Sequence, residues 1–249
     1  MNKKREIIEI FSSISKRYDF FNNVISFGIH KFWEKRLIKK ITLKKTYKNL
    51  CQENFDKENF YNEKKLYENA LDLCTGTGAL LKDLKRISKN LYAVDISKEM
   101  LSLAKERCKK QNIDVEFINS EAENLRFSDE FFDLIVVSYG VRNFYDLDKG
   151  LKEIRRTLKK DGIIYILEFG KQKNNNFWGK IFSFYFLKIM PLIIKVFCGN
   201  KKAYKYLSSS VLNFPSSKEF IEILSRNNLN CSHYEIMLGG FVYIYEITI

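Results

Sequence analysis

Apolar residues recur along this chain with two different periods, and the change from one to the other marks out its parts. Near the start, Ile7, Ile8, Ile10, Phe11 and Ile14 fall on one side of a helix predicted over 3–17, and a second helical run covers 30–45. The stretch 49–67 is polar and compositionally biased, and reads as a loose linker. From Asn69 onward, short apolar runs alternate with helical ones. Runs near 69–74, 91–95, 114–119, 131–137 and 162–168 predict strands, and 78–88, 97–111 and 146–159 predict helices. Ser97 suits the N-cap of the helix over 97–111, and Asp161-Gly162 suits the end of the helix over 146–159. Such alternation predicts a parallel sheet covered on both faces.

After Glu168 the alternation stops for an aromatic and basic helical insertion at about 170–214. Residues 215–219 then open a last helix to about Asn227, and strands over 231–238 and 241–248 meet at Gly239-Gly240, a tight hairpin turn. The expected organisation is an N-terminal helical cap at 1–48, a variable linker at 49–68 and a main α/β domain at 69–249. A chain of 249 residues is long enough for that.

Composition narrows the function. The net charge of +13 comes from 33 Lys and only 10 Arg, a balance that does not suggest built phosphate recognition, so no nucleic-acid partner is expected. Between Phe169 and Phe214 there are eight Lys and no acid, interleaved with Phe177, Trp178, Phe182, Phe184, Tyr185, Phe186 and Phe197. That pattern suits an element lying on a lipid surface, or a lid whose aromatics face a site. The apolar stretch 181–198 is interrupted by Lys188, Pro191 and Lys195 and falls short of a spanning helix. Cys51, Cys74, Cys108, Cys198 and Cys231 are scattered and the two His are distant, so no metal site is expected. Reduced thiols in a cytoplasmic protein are the plain reading.

The candidate chemistry lies where strands end. The first strand carries Asp72, and a turn with Gly76 and Gly78 follows; the next apolar run ends in Asp95, 17 positions after Gly78. Glycines at such a turn let backbone approach a ligand, and an acid ending the next strand can hold a ribose diol. Position 81 is Leu, so the dinucleotide pattern with a third glycine is absent, as is a phosphate loop. With Asp72 nearby, the turn suits a cofactor with a cationic amino-acid end, and S-adenosylmethionine fits. The plain alternative is an ordinary strand–helix turn. Glu121, after the third strand, is placed to accept from an adenine amino group. The block 137–144 (VSYGVRNF) puts Ser138, Arg142 and Asn143 at a strand end, better suited to ligand contact than to packing. His30 sits among aromatics, where a packed role and a catalytic one both stand.

These blocks resemble the menaquinone/ubiquinone-biosynthesis C-methyltransferases. The likeness rests on KRYDFFNNVISFGIHKFWEKR, LDLCTGTGALL, AVDISKEML, SEAENLRF, VSYGVRNF, LEFGK and GNKKAYKYLSSSVLNFPS. It implies the class I S-adenosylmethionine-dependent methyltransferase fold: a seven-stranded, mostly parallel sheet with helices on both faces and a C-terminal antiparallel hairpin. It implies methyl transfer to a ring carbon of a polyprenylated hydroquinone, demethylmenaquinol foremost, with the ubiquinone branch or another lipid as alternatives. The cofactor residues it suggests are Asp72, Gly76, Thr77, Gly78, Asp95, Ile96, Glu121, Ala122 and Ser138. Arg142 is the favoured residue at the reacting ring, and Asn143, Tyr204 and Tyr206 line the substrate side with Tyr18. Asn200 and Tyr245 stand where the family usually has Asp and His, and Glu121 where it often has Asp or Asn.

The expected chemistry is simple. A sulfonium methyl is already electrophilic, so no metal is required. A phenol-like hydroxyl with a pKa near about 10 needs lowering to make the ortho carbon nucleophilic, and Arg142 beside the oxygen would do that. A bound water, His30 or Tyr18 would take the proton. The expected location is cytoplasmic, peripheral to the inner face of the membrane, with a homodimer left open.

Overall fold

The run Phe132–Ser138 (FDLIVVS) is apolar at nearly every position, as a strand buried on both faces must be. It lies near the middle of one seven-stranded sheet. Residues 3–50, 65–170, 184, 185, 189, 201–237 and 240–249 are described by the structure, a computed structural model. The strands are β1 (Tyr67–Leu73), β2 (Ser88–Asp95), β3 (Glu116–Asn119), β4 (Phe132–Ser138), β5 (Leu158–Phe169), β6 (Asn230–Met237) and β7 (Val242–Thr248). Their spatial order is β3-β2-β1-β4-β5-β7-β6. The first five are parallel; β7 runs antiparallel to β5 and β6 antiparallel to β7. The expected sheet is present, closing hairpin included.

The helices are α1 (Lys3–Ile14), α2 (Tyr18–Ser26), α3 (Ile29–Leu50), α4 (Leu81–Ile87), α5 (Lys98–Lys110), α6 (Leu147–Thr157), α7 (Lys201–Asn213) and α8 (Ser217–Arg226). One core packs Trp33, Leu37 and Ile41 of α3, Leu81 and Leu84 of α4, and Ala104 and Cys108 of α5 against one sheet face. The other packs Leu151 and Ile154 of α6 and Phe220 and Leu224 of α8 against the opposite face. The segment 1–48 is therefore divided in role. Its last helix is part of the sheet's own cover, while α1 and α2 lie over the carboxyl edge.

Several boundaries differ from expectation. The helix expected over 3–17 stops at Ile14 and passes through a 3-10 turn, Ser15–Arg17. There Ser13 Oγ donates to the Ile10 carbonyl and Ser15 Oγ to that of Ser12, competing with the regular helix. The helix α2 carries no strong propensity signal, and ends with Phe27 and Gly28 both at positive φ. The segment 78–88 begins helically only at Leu81, because Gly78 has φ +76. Helix 146–159 ends at Thr157, and Leu158 already pairs with Phe132. A register shift before Leu134↔Ile163 absorbs Asp161 and Gly162, so they bulge a strand rather than end a helix. The expected 49–68 linker is ordered at both ends, helical to Leu50 and extended from Tyr67, while 51–64 lies outside the described residues. So do Gly239 of the hairpin turn and most of the 170–214 insertion before Lys201.

Candidate active site

Starting from β1, the chain builds β2 and β3 on one side before crossing to β4 on the other, so a crevice opens at the carboxyl ends of β1 and β4. The turn after β1 holds Cys74, Gly76 and Gly78 at φ +60, +55 and +76. A Cβ on Gly78 would lie 2.8 Å from Leu81 Cδ1 and 3.1 Å from Ala104 Cβ, whereas one on Gly76 would meet nothing within 4 Å. Gly78 thus serves helix packing, and Gly76 keeps the ligand side open.

Asp95 ties this turn to the next one. Gly76 N–H donates to its Oδ2 at 2.8 Å and Ser97 N–H to its Oδ1 at 2.9 Å. Burial pushes its carboxyl up to about 6 against those same hydrogen bonds. Asp72 is 2 % exposed and sits behind the turn, accepting from Thr75 Oγ1 at 2.6 Å; burial pushes it up to about 7. It does not line the cleft.

The cleft is lined on one side by Gly76, Asp95, Ile96, Met100 and Ala122, and on the other by Tyr18, Ser138, Tyr139 and Asn143. Thus Tyr18, Gly76, Asp95, Ile96, Ala122, Ser138 and Asn143 of the expected set converge. The hydroxyls of Ser138 and Tyr139 are buried without a partner, as groups awaiting a ligand would be. With the Asp95 carboxylate for a diol and open backbone at Gly76, these features fit a nucleoside cofactor of the S-adenosylmethionine type.

Other expected residues are held elsewhere. Thr77 Oγ1 donates to Asp19 Oδ1 at 2.6 Å, and Asp19 also pairs with Arg107, so α2 is fastened over the glycine turn. Glu121 pairs with Lys4 of α1, and this contact holds its carboxyl below the usual range. The cleft carboxylate near it is instead Glu123, whose Oε1 accepts from Tyr145 N–H at 2.7 Å. His30 accepts or donates at 2.6 Å to Ser26 Oγ and lines a neighbouring hollow with Asp19, Glu34 and Gly78. Burial pushes its pKa down. Burial raises the Tyr18 phenol despite nearby Arg142, which makes it a hydrogen-bond donor rather than a proton acceptor. Tyr206 Oη donates to Asn143 Oδ1 at 3.0 Å, bringing α7 to the cleft wall; the Tyr204 side chain lies outside the described residues. Tyr245 is fully buried against Phe220 in the core and does not reach the cleft.

Arg142 is 4 % exposed and lies behind the wall rather than on it. Its Nη1 donates to Glu168 Oε1 at 2.6 Å and to the Tyr139 carbonyl at 2.7 Å. Burial opposes its charge, but the charge and hydrogen bond of Glu168, together with Tyr18 and Tyr206, more than offset this and raise its pKa. Sequence reasoning passed over Glu168, Asp19, Glu123 and Tyr139. For Glu168 a signal was present: like Asp72 and Asp95, it is an acid ending an apolar strand. Among the described residues no cluster of three His, Cys, Asp or Glu side chains gathers as a metal site would.

The raised carboxyl of Asp95 has a pH consequence. A diol donates to the ionised form, so donor binding favours proton release from Asp95. Between pH 7 and pH 5 its Kd should rise about tenfold, and Asp95→Asn should flatten that dependence in calorimetry. A flat wild-type profile would exclude direct recognition by this carboxylate. The sign for folding is opposite: both acids bind protons more tightly when folded. The ligand-free protein therefore loses stability as pH rises from their ordinary 3.8 through about 6 and 7.

Comparison with known proteins gives a consistent picture. The model of the ubiE/COQ5 methyltransferase family matches residues 1–248. The chain is 36 % identical over 231 residues to a demethylmenaquinone methyltransferase of Thermotoga maritima, covering 92 % of this chain and 90 % of that one. It is 32 % identical over 248 residues to the ubiquinone/menaquinone biosynthesis C-methyltransferase UbiE of Bdellovibrio bacteriovorus, with 98 % and 96 % covered. Among solved structures, a SAM-dependent methyltransferase from Aquifex aeolicus superposes with TM-score 0.51 at 20 % identity, over 78 % of this chain and 90 % of that one. The [4+2]-cyclase SpnF superposes with TM-score 0.55 at 14 % identity, over 76 % and 78 %. The cyclase shows that the fold alone does not set the reaction.

Proposed function

This chain belongs to the ubiE/COQ5 methyltransferase family, and from that premise we propose that it methylates a ring carbon of demethylmenaquinol, giving menaquinol. It is an S-adenosylmethionine-dependent C-methyltransferase of menaquinone or ubiquinone biosynthesis. The observation that carries the choice of substrate is the 36 % identity, over 92 % of the chain, to the demethylmenaquinone methyltransferase.

The donor supplies an electrophilic methyl group. Asp95 and the backbone at Gly76 would hold its nucleoside, and Ile96 and Ala122, which line the same cleft, would receive the base. Across the cleft, Phe11, Tyr18, Tyr139, Phe144 and Tyr145 form an aromatic wall suited to a flat ring. The wall's task is to keep the ring carbon in line with the methyl group at a near-attack distance of roughly 3–3.5 Å. Tyr18 and Asn143 donate to the ring oxygens, and Arg142 stabilises the oxygen that gains charge. The proton leaves to water, since Tyr18 is a donor and His30 lies in the adjoining hollow.

A lipid-tailed quinol resides in a bilayer, and no helix among the described residues is long and apolar enough to cross one. The proposed contact is peripheral. Phe20, Phe27, Ile29 and Phe32 of the α2–α3 region are 41–70 % exposed, and Phe27 meets Tyr185 of the insertion at 5.5 Å. Exposed Lys31 and Lys35 beside them suit anionic headgroups.

The test supplies labelled S-adenosylmethionine and anionic vesicles carrying either demethylmenaquinol or the ubiquinol precursor. Label is expected in menaquinol by mass spectrometry, and Phe27→Ser with Phe32→Ser should reduce both vesicle binding and turnover. Methylation of the other quinol alone would reassign the branch, and methylation of neither would refute the proposal.

A further inference from the structure

Arg142 presents a difficulty for the reaction just described, because its charge is already matched inside the protein. The Glu168 carboxylate is fully buried at the end of β5, and both of its oxygens are used. Oε1 accepts from Arg142 Nη1 at 2.6 Å and from Phe169 N–H at 2.8 Å. Oε2 accepts from the Arg142 backbone N–H at 3.2 Å. One side chain therefore fastens both the guanidinium and the backbone of the 3-10 turn Val141–Asn143. That turn also carries Asn143, which bonds to Tyr206 and, at 3.2 Å, to the Tyr139 carbonyl.

The guanidinium is fixed on its face as well. It lies over the Phe169 ring at 5.4 Å, and Phe169 stacks on Tyr139 at 4.9 Å. With both Nη1 protons committed, Arg142 Nε remains a buried donor without a partner.

We propose that Glu168 is a positioning residue for methyl transfer: it clamps Arg142 into a neutral buried pair and fastens the turn behind the cleft wall, so that the amide N–H of Asn143, which lines the cleft, is held ready for the ring oxygen. This rests on the reading of Arg142 given above. Two consequences follow from charge. A neutral pair does not draw small anions into the cleft, so an uncharged hydroquinone is the favoured guest. The fixed N–H strengthens its bond only as the oxygen gains negative charge, which lowers the barrier without tightening the ground state. Glu168 does not touch the substrate and acts only through Arg142 and its turn.

Glu168→Gln keeps the shape and removes the charge. S-adenosylmethionine affinity by calorimetry should stay within about threefold, while kcat for demethylmenaquinol falls about 100-fold with little change in KM. The unneutralised Arg142 should also shift the substrate-ionisation limb of the pH–rate profile to lower pH, a change that mere loosening would not cause. Glu168→Asp should recover part of the loss and carries the comparison if the Gln variant does not bind donor. Combining Glu168→Gln with Arg142→Ala should cost no more than Arg142→Ala alone. Wild-type kcat in Glu168→Gln, an unmoved pH profile, or additive losses would overturn the proposal. Near-normal turnover in Arg142→Ala alone would instead remove the reading on which it stands.

Discussion

Asp95→Asn should weaken S-adenosylmethionine binding by about 100-fold or more, the larger part of it through a change of one oxygen to NH₂. The wild-type carboxylate only accepts, taking Gly76 N–H on one oxygen and Ser97 N–H on the other. An amide must turn its donor side toward one of those two donors, or toward the ribose hydroxyls. In a site only 9 % exposed, each charged hydrogen bond that a ribose hydroxyl makes to the carboxylate is worth about 1.5–3 kcal/mol, and the amide loses or weakens two of them. The sum corresponds to two or more orders of magnitude in Kd. Folding should suffer far less, because the burial that raises this carboxyl is relieved when the charge is removed. Calorimetry and thermal unfolding on one sample separate the effects. Native affinity in the Asn variant would dismantle the cofactor assignment.

Arg142→Leu should lose about 10³-fold in kcat and about 3–5 kcal/mol in stability, because Glu168 is left buried without its counter-charge. The informative companion is the double variant Arg142→Leu with Glu168→Leu. Replacing both partners of a buried ion pair by apolar groups is often neutral or stabilising, so urea unfolding should return near the wild-type midpoint. Methylation should stay as low as in the single variant. A stable, inactive double variant assigns the pair to the reaction rather than to the fold. Recovered turnover would show that neither charge serves catalysis.

The helix α2 illustrates what local patterns miss. Its sequence YDFFNNVIS is rich in residues with modest helix propensity, and it holds because Asp19 bonds to Thr77 and pairs with Arg107. The bulge at Asp161-Gly162 is similar. A dipeptide that ends helices when read alone is drawn into β5 because Leu158 finds Phe132 across the ladder. Glu121 was legible as an acid at a strand end, yet Lys4, distant in sequence, occupies it and leaves Glu123 at the cleft.

From β1 onward, the order of strands and helices, the glycine bend and Asp95 were all readable from residues within one or two turns of each other. Periodicity, positive-φ glycines and strand-end acids are short-range signals, and a parallel sheet with its site at the carboxyl edge follows from them. The partner of each buried charge was not readable in this way. Arg142 and Glu168 are 26 residues apart and Asp19 and Thr77 are 58 apart. They meet because sheet register sets β4 beside β5 and the N-terminal helices fold back over the edge. Desolvation then makes each of those meetings decide whether a side chain is free to act, and only the assembled tertiary structure determines it.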